Sequence, residues 1–204
     1  MTIGAVVFDA DGVIQRPSAR RRDAWRASLG PRQDVDAFLH AVFAAERPAL
    51  EGRSNFVDAV AGILVDKAAI GSVGECLATW TMIESDPAVT AIVRGLQRSG
   101  IQCHLATNQE LHKARFMSEG LGYAELFDRE FYSCRMGVMK PALAYFQVIL
   151  REIGVPGESI LFVDDQPTNV DSARQAGLHA TEFRLDTGPR ELVRALKAFG
   201  IRFD

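Results

Sequence analysis

The sequence predicts an α/β protein built on a parallel sheet, with a bundle of helices inserted after the first strand. Three observations carry this. Short apolar runs near 3–8, 102–106, 129–132, 159–163 and 178–183 have strand character. From 84 onward these runs alternate with helical segments, and alternating βα units imply a parallel sheet with right-handed crossovers. Between 17 and 83 the pattern is helical with little strand character. The expected division is therefore a core from 1–16 and 84–204, and a helical insertion over 17–83.

Each element has its own signal. The first strand ends in Asp9-Ala10-Asp11-Gly12-Val13. A helix over 19–29 stops at Gly30-Pro31. One over 35–47 carries Phe38, Leu39, Val42 and Phe43 at helical spacing. Ser54 is a plausible cap for a helix over 56–64, and 73–83 includes Leu77, Trp80 and Met82. Ser85-Asp86-Pro87 is a helix-start signal for 88–98, which ends at Gly100. Further helices are expected over 109–119, 141–153, 167–176 and 189–199.

Length and composition bound the rest. At 204 residues and 48% hydrophobic content, the chain suits one core domain plus an insertion. A formal charge of −3 argues against a protein dominated by nucleic-acid binding. Cys76, Cys103 and Cys134 show no paired or metal-type spacing and read as reduced thiols of a cytoplasmic protein. No apolar run approaches the ~20 residues that span a bilayer, and no charged-then-apolar leader opens the chain. The sequence does not report the oligomeric state.

The chemistry concentrates at strand ends. Asp9 and Asp11 are spaced i, i+2 before a glycine that permits the chain to turn, so both acids can converge on one centre. Asp9 could attack as a nucleophile while Asp11 moves protons; the bland alternative is an acidic surface turn. The run 160–163 also ends in carboxylates, Asp164 and Asp165. In one parallel sheet both strand ends meet at the edge where open α/β sheets place ligands. Four close carboxylates need a cation, and hard oxygen ligands without His or Cys suit Mg2+. Thr107-Asn108 follows another strand, where it can either donate to phosphate oxygens or cap a helix. Lys140-Pro141 follows Gly137-Val138-Met139, with Pro141 suited to the first helical position.

In this order the motifs resemble those of the haloacid dehalogenase-like hydrolase superfamily, mostly Mg2+-dependent phosphatases. Asp9-Ala10-Asp11-Gly12-Val13, Thr107 with Asn108, Lys140, and Asp164-Asp165 match its four motifs across residues 3 to about 182. The double Asp is most similar to small sugar-phosphate phosphatases and to the phosphatase domain of soluble epoxide hydrolases. The resemblance implies a Rossmann-like core with a helical-bundle cap. It also implies that Asp9 forms an aspartyl-phosphate, that Asp11 protonates the leaving alkoxide and then activates water, and that Lys140 offsets charge. Thr107 and the Asn108 backbone would hold phosphate oxygens. Mg2+ would sit between the Asp9 carboxylate, the Asp11 carbonyl and the Asp165 carboxylate, with Asp164 behind it orienting Lys140 or a metal-bound water. The implied partner is a small phosphorylated metabolite, with neither nucleic acid nor membrane involved.

Three other activities compete. A haloacid dehalogenase usually lacks the second acid of the first motif, because a halide leaving group needs no proton. A phosphomutase would return the phosphoryl group to substrate. A phospho-acceptor module without turnover resembles receiver domains, which carry no helical insertion. Several further residues invite roles. Arg16, Arg20, Arg21 and Arg22 could meet an anionic substrate or form a solvated helix face. Trp25 and Trp80 could stack on a substrate or fill a core. His104 lies in a buried strand and reads as structural. Asn169 or Asp171 could support the metal site or simply cap a helix.

Overall fold

A computed structural model describes residues 2–31 and 33–202; Met1, Arg32, Phe203 and Asp204, which fall within the expected ranges above, lie outside the described residues. In chain order the elements are β1 Ala5–Phe8, β2 Gln15–Pro17, α1 Arg21–Leu29, α2 Val35–Ala49, α3 Phe56–Asp66, α4 Val73–Trp80, β3 Ile83–Ser85, α5 Pro87–Arg98 and β4 Gln102–Thr107. Then follow α6 Leu111–Arg115, α7 Tyr123–Leu126, β5 Arg129–Tyr132, α8 Ser133–Met136, α9 Leu143–Ile153, β6 Ile160–Asp164, α10 Pro167–Gln175, β7 His179–Glu182 and α11 Pro189–Ala198.

Five strands form one parallel sheet in the order β5-β4-β1-β6-β7. The protein is thus α/β with a Rossmann-like sheet. β1 is central because the chain leaves it for β4 and β5 on one side, then crosses to β6 and β7 on the other. That reversal opens a crevice at the carboxyl ends of β1, β4 and β6. The two-residue period of a strand places Val6, Phe8, Leu161 and Val163 in the apolar cluster on one face. Ala5, Val7, Ile160 and Phe162 enter the cluster on the other. Burial on both faces explains why these strands read as continuous apolar runs.

The helices α1 to α4 have a separate core, including Trp25, Phe38, Val42, Phe56, Val60 and Trp80. Their ends follow local chemistry. Asp34 accepts from the Asp36 and Ala37 amides at the start of α2, and Ser72 and Glu75 form a reciprocal capping box at α4. The cap of α3 is Asn55, whose side chain accepts from the Val57 amide, not Ser54. The apolar stripe on α2 divides: Phe38 and Val42 are buried, while Phe43 is exposed and meets Trp80 edge-on.

Several expected boundaries differ. The helix expected over 73–83 stops at Trp80, and residues 83–85 instead pair antiparallel with residues 15–17. This ribbon carries the chain into and out of the helical segment. The helix expected over 109–119 is a five-residue α6 followed by a π-helical turn over Phe116–Gly120. Pro141 does not open a helix; α9 begins at Leu143. The preceding loop is held instead by Asn108, which bonds the Lys140 backbone at both its amide and its carbonyl. Asp86 and Pro87 start α5 as expected, with the Asp86 carboxylate accepting from two helix amides.

Candidate active site

The crevice at the strand ends holds a cavity of about 330 Å3 lined by Asp9, Asp11, Thr107, Asn108, Lys140 and Asp165, with Gly12, Gln166 and Asn169 at its margins. Asp9 follows β1, Thr107 closes β4, and Asp164 closes β6. Parallel register therefore brings together side chains up to 156 positions apart in sequence, from Asp9 to Asp165. All seven residues singled out as a site from sequence lie in or against this cavity.

Lys140 is the hub. Its ammonium lies 2.8 Å from Asp9 Oδ1 and 2.6 Å from Asp164 Oδ2, and it donates to the Ala106 carbonyl at 3.0 Å. An ammonium has three donors, and all three are occupied. The side chain is 1% exposed. Burial works against its charge, but Asp9 and Asp164 outweigh that and raise its pKa. Burial pushes the Asp9 carboxyl up to about 7, against the pull of Lys140 and with Asp164 adding to the rise.

The two acids of β6 differ sharply. Asp164 is fully buried and saturated: besides Lys140 it accepts from Asn169 Nδ2 at 3.0 and 3.1 Å and from the Gln166 amide at 2.8 Å. Asp165 is half-buried, and among the described residues its carboxylate accepts one side-chain hydrogen bond, from Gln166 Nε2 at 2.9 Å. Burial is the chief reason its pKa is raised. Gly12 closes the other side, at φ +80°; a Cβ there would lie 2.6 Å from Asp165 Oδ2. Among the described residues, Asp9, Asp164 and Asp165 each offer a carboxylate oxygen within 4.8 Å of the others. Three hard-oxygen donors with one ammonium between two of them leave uncompensated negative charge, a set that fits Mg2+.

Asp11 points elsewhere. Gln15 Nε2 donates to Oδ1 at 2.8 Å, while Gln109 Nε2 and Lys113 Nζ donate to Oδ2 at 2.7 and 2.9 Å. Burial opposes its charge, but Lys113 and these hydrogen bonds outweigh it and hold the carboxyl below its ordinary value. Thr107 is buried and lines the cavity, its hydroxyl accepting from Gln109 Nε2 at 3.4 Å. Neither it nor Asn108 caps α6; Glu110 does, accepting from the His112 and Lys113 amides.

The other tempting residues sort themselves by contact. Arg22 pairs with Asp36 through both terminal nitrogens, Arg16 lies 3.8 Å from Asp86, and Arg20 is exposed. Arg21 alone turns inward, its guanidinium 4.8 Å from the Trp80 ring centroid. Trp25 is core, and Trp80 is buried with its indole N–H donating to Glu110 Oε1 at 3.2 Å. His104 is buried against Phe131, with its pKa lowered by burial. Asn169 braces Asp164, whereas Asp171 is exposed beside Arg174. Sequence reasoning missed Gln15, Gln109, Lys113 and Glu46. The available signal was that Lys113 lies early in the helix launched from the Thr107 strand, where side chains border the crevice.

Comparison with known proteins bears on this arrangement. The model of the haloacid dehalogenase-like hydrolase family matches residues 3–177. A sesquiterpene phosphatase of Aspergillus oryzae is 30% identical over 106 residues, covering 49% of this chain and 53% of the relative. A phosphoglycolate phosphatase of Rhodospirillum rubrum is 32% identical over 92 residues, covering 45% and 38%. The aligned regions thus span about half or less of these relatives. A HAD family enzyme of Bacteroides thetaiotaomicron, solved as a magnesium complex, superposes with a TM-score of 0.78 at 16% identity over 95% of this chain and 100% of that one. The same enzyme has also been solved with magnesium and inorganic phosphate. At such identity the likeness shows the fold. Among the described residues, no helix is long and apolar enough to cross a membrane.

Proposed function

The chain belongs to the haloacid dehalogenase-like hydrolases, and from that premise we propose that it is a Mg2+-dependent phosphomonoesterase for a small phosphorylated metabolite. The observation that carries this is Asp9 held beside a buried, fully bonded Lys140, with Thr107 and the Asp164–Asp165 pair around one cavity. Positioning and electrostatics of this kind carry most of phosphoryl transfer.

In this reading Asp9 attacks phosphorus, the ester P–O bond breaks, and Asp11 gives its proton to the leaving oxygen. Asp11 then takes a proton from water, the water oxygen attacks the phosphorus of the aspartyl-phosphate, and the bond to Asp9 breaks. The first step needs a proton on Asp11, which its present partners disfavour; a phosphate entering the pocket brings negative charge that works the other way. Thr107 and the Asn108 amide hold phosphoryl oxygens, since the Asn108 side chain is committed to Lys140. The Asp9 carboxylate, the Asp11 carbonyl and the Asp165 carboxylate would hold Mg2+, which supplies charge neutralisation for the phosphoryl oxygens. Asp164 orients Lys140. Asp11 favours a phosphoester over a halide, because a halide departs without a proton.

Residues 17–83 act as a cap in this reading, supported by their separate core and by the β2–β3 ribbon at their base. Unbridged Cys76, Cys103 and Cys134 support a reducing, cytoplasmic setting. The test is a hydrolysis screen over phosphorylated metabolites with Mg2+ and with a chelator. Turnover of at least one phosphomonoester, abolished by chelation, is the expected result. Inactivity across a broad panel with bound Mg2+ confirmed would reject the reading.

A further inference from the structure

We propose that Lys113 is a positioning residue for Asp11 and that it ties the Asp11 carboxylate to the docking of the helical insertion. This rests on the reading of Asp11 as acid and base.

The chemistry above uses one lysine, Lys140, yet the structure buries a second at the same cavity edge. The Lys113 side chain is 7% exposed, against 44% for its partner Asp11. A lysine so enclosed needs a specific partner, and among the described residues its one ion pair is with Asp11. Three donors from three segments converge on that carboxylate. Gln15 in β2 takes Oδ1, and Gln109 and Lys113 share Oδ2. With both oxygens engaged, neither torsion of the Asp11 side chain is free. The two glutamines are neutral; Lys113 supplies the charge-assisted bond, which is the stronger kind.

The same lysine faces the insertion. Its ammonium lies 5.7 Å from the Trp80 ring centroid. Its backbone amide donates to Glu110 Oε1 at 2.8 Å, the oxygen that also accepts the Trp80 indole N–H. Trp80 ends α4 and Lys113 lies in α6, so one carboxylate oxygen pins the insertion to the helix that carries the Asp11 partner. Moving the insertion away breaks the indole bond and takes the aromatic face from the ammonium. The Asp11 position is thereby set by a docked insertion, although among the described residues no insertion residue touches Asp11 through a hydrogen bond.

The experiment compares single-turnover alcohol release from an alkyl phosphate and from an activated aryl phosphate. Alcohol release reports the first step alone, and an aryl leaving group needs little protonation. Lys113→Met makes Asp11 easier to protonate but frees its carboxyl. Because positioning is the role proposed, it should slow the alkyl ester about 10- to 100-fold, part of the range typical of acid–base assistance, and barely affect the aryl ester; a faster alkyl release would overturn the positioning role. Lys113→Arg should recover most of the alkyl rate. Trp80→Phe, which keeps the ring and loses the N–H, should shift the alkyl rate in the same direction by a smaller factor. Lys113→Gln carries the same expectation if the methionine variant does not fold. Equal losses on both esters, no loss on either, or an arginine variant no better than methionine would overturn the positioning role. An unchanged alkyl rate in Trp80→Phe would overturn the link to the insertion. A wild-type protein that releases neither alcohol would overturn the phosphatase reading, and this inference with it.

Discussion

Asn108 grips the backbone of Lys140 from both sides: its Oδ1 accepts from the Lys140 amide at 2.9 Å, and its Nδ2 donates to the Lys140 carbonyl at 3.0 Å. The two residues lie 32 positions apart, at the end of β4 and in the loop before α9. This clamp sets where the lysine side chain enters the site, between Asp9 and Asp164.

Asn108→Ala should therefore lower turnover without removing any group that meets the phosphate through a side chain. Two hydrogen bonds are lost, worth about 1–3 kcal/mol together. Part of that should appear in thermal stability and part in kcat. Asn108→Asp keeps the acceptor for the Lys140 amide but loses the donor, and should fall between wild type and alanine in stability. Wild-type kcat in Asn108→Ala would show that Lys140 is placed by its ion pairs alone.

Asp164 and Asp165 should separate stability from metal binding. Asp164→Ala strips Lys140 of one of its two carboxylates and leaves Asn169 Nδ2 without an acceptor. Removing one partner of a buried pair costs about 3 kcal/mol or more, so its melting temperature should drop clearly. Asp165→Ala loses one hydrogen bond from Gln166, and should instead weaken Mg2+ binding with little change in melting. Calorimetric Mg2+ titration beside a melting curve reads both. The reverse order would show the pair assigned backwards.

What the sequence made legible follows from backbone physics. A parallel sheet forces the ends of β1, β4 and β6 together, so Asp9, Asp11, Asp164 and Asp165 were readable as one site from strand ends alone, while Thr107 at the end of β4 could equally have been a helix cap. Lys140 needed the motif order, since a lysine before Pro141 is otherwise a surface lysine. The partners of Asp11 were hardly readable, Lys113 only through its place in the helix after the Thr107 strand. Gln15 sits in a three-residue strand with no alternation to announce it, and Lys113 is enclosed between Asp11 and the Trp80 ring, which come from distant parts of the chain. Glu46, on α2, is half-buried, with Lys113, Glu110 and Asp11 of the core among the charges that act on it. Residues whose burial depends on how two separately packed units meet leave little periodic trace in either one.

Glu46 gives the docking a pH signature. Burial pushes its carboxyl from the ordinary 4.5 up to about 7; Lys113 opposes the rise, while Glu110 and Asp11 add to it. The folded state thus binds this proton more tightly than the unfolded chain. The associated stability is whole below the unfolded value and is lost as pH rises through about 7. The loss amounts to about 3 kcal/mol at most. Glu46→Gln removes the ionisation, so the variant should gain on wild type between about pH 5 and about pH 8 in urea midpoints. Parallel pH profiles for the two proteins would place Glu46 in contact with water.

Asp9→Asn and Asp11→Asn should fail in different ways. An amide is a poor nucleophile, so Asp9→Asn should form no phosphoenzyme with any ester. It also replaces one of the two carboxylates that flank Lys140, so its Mg2+ affinity and its stability should both shift. Asp11→Asn keeps the nucleophile and the Lys140 arrangement and loses the proton carrier. An alkyl phosphate, with its poor leaving group, should then be nearly inert, by about 10²–10⁴-fold. An activated aryl phosphate should still phosphorylate Asp9, and because the second step has lost its base, the aspartyl-phosphate should accumulate. Intact-protein mass spectrometry after rapid quench detects the added phosphoryl group, and peptide mapping locates it. A phosphoryl group on the Asp9→Asn protein, or on Asp11 of the wild type, would exchange the two roles. That exchange would also have to explain why the carboxylate beside Lys140, Asp164 and Asp165 is the one that does not attack.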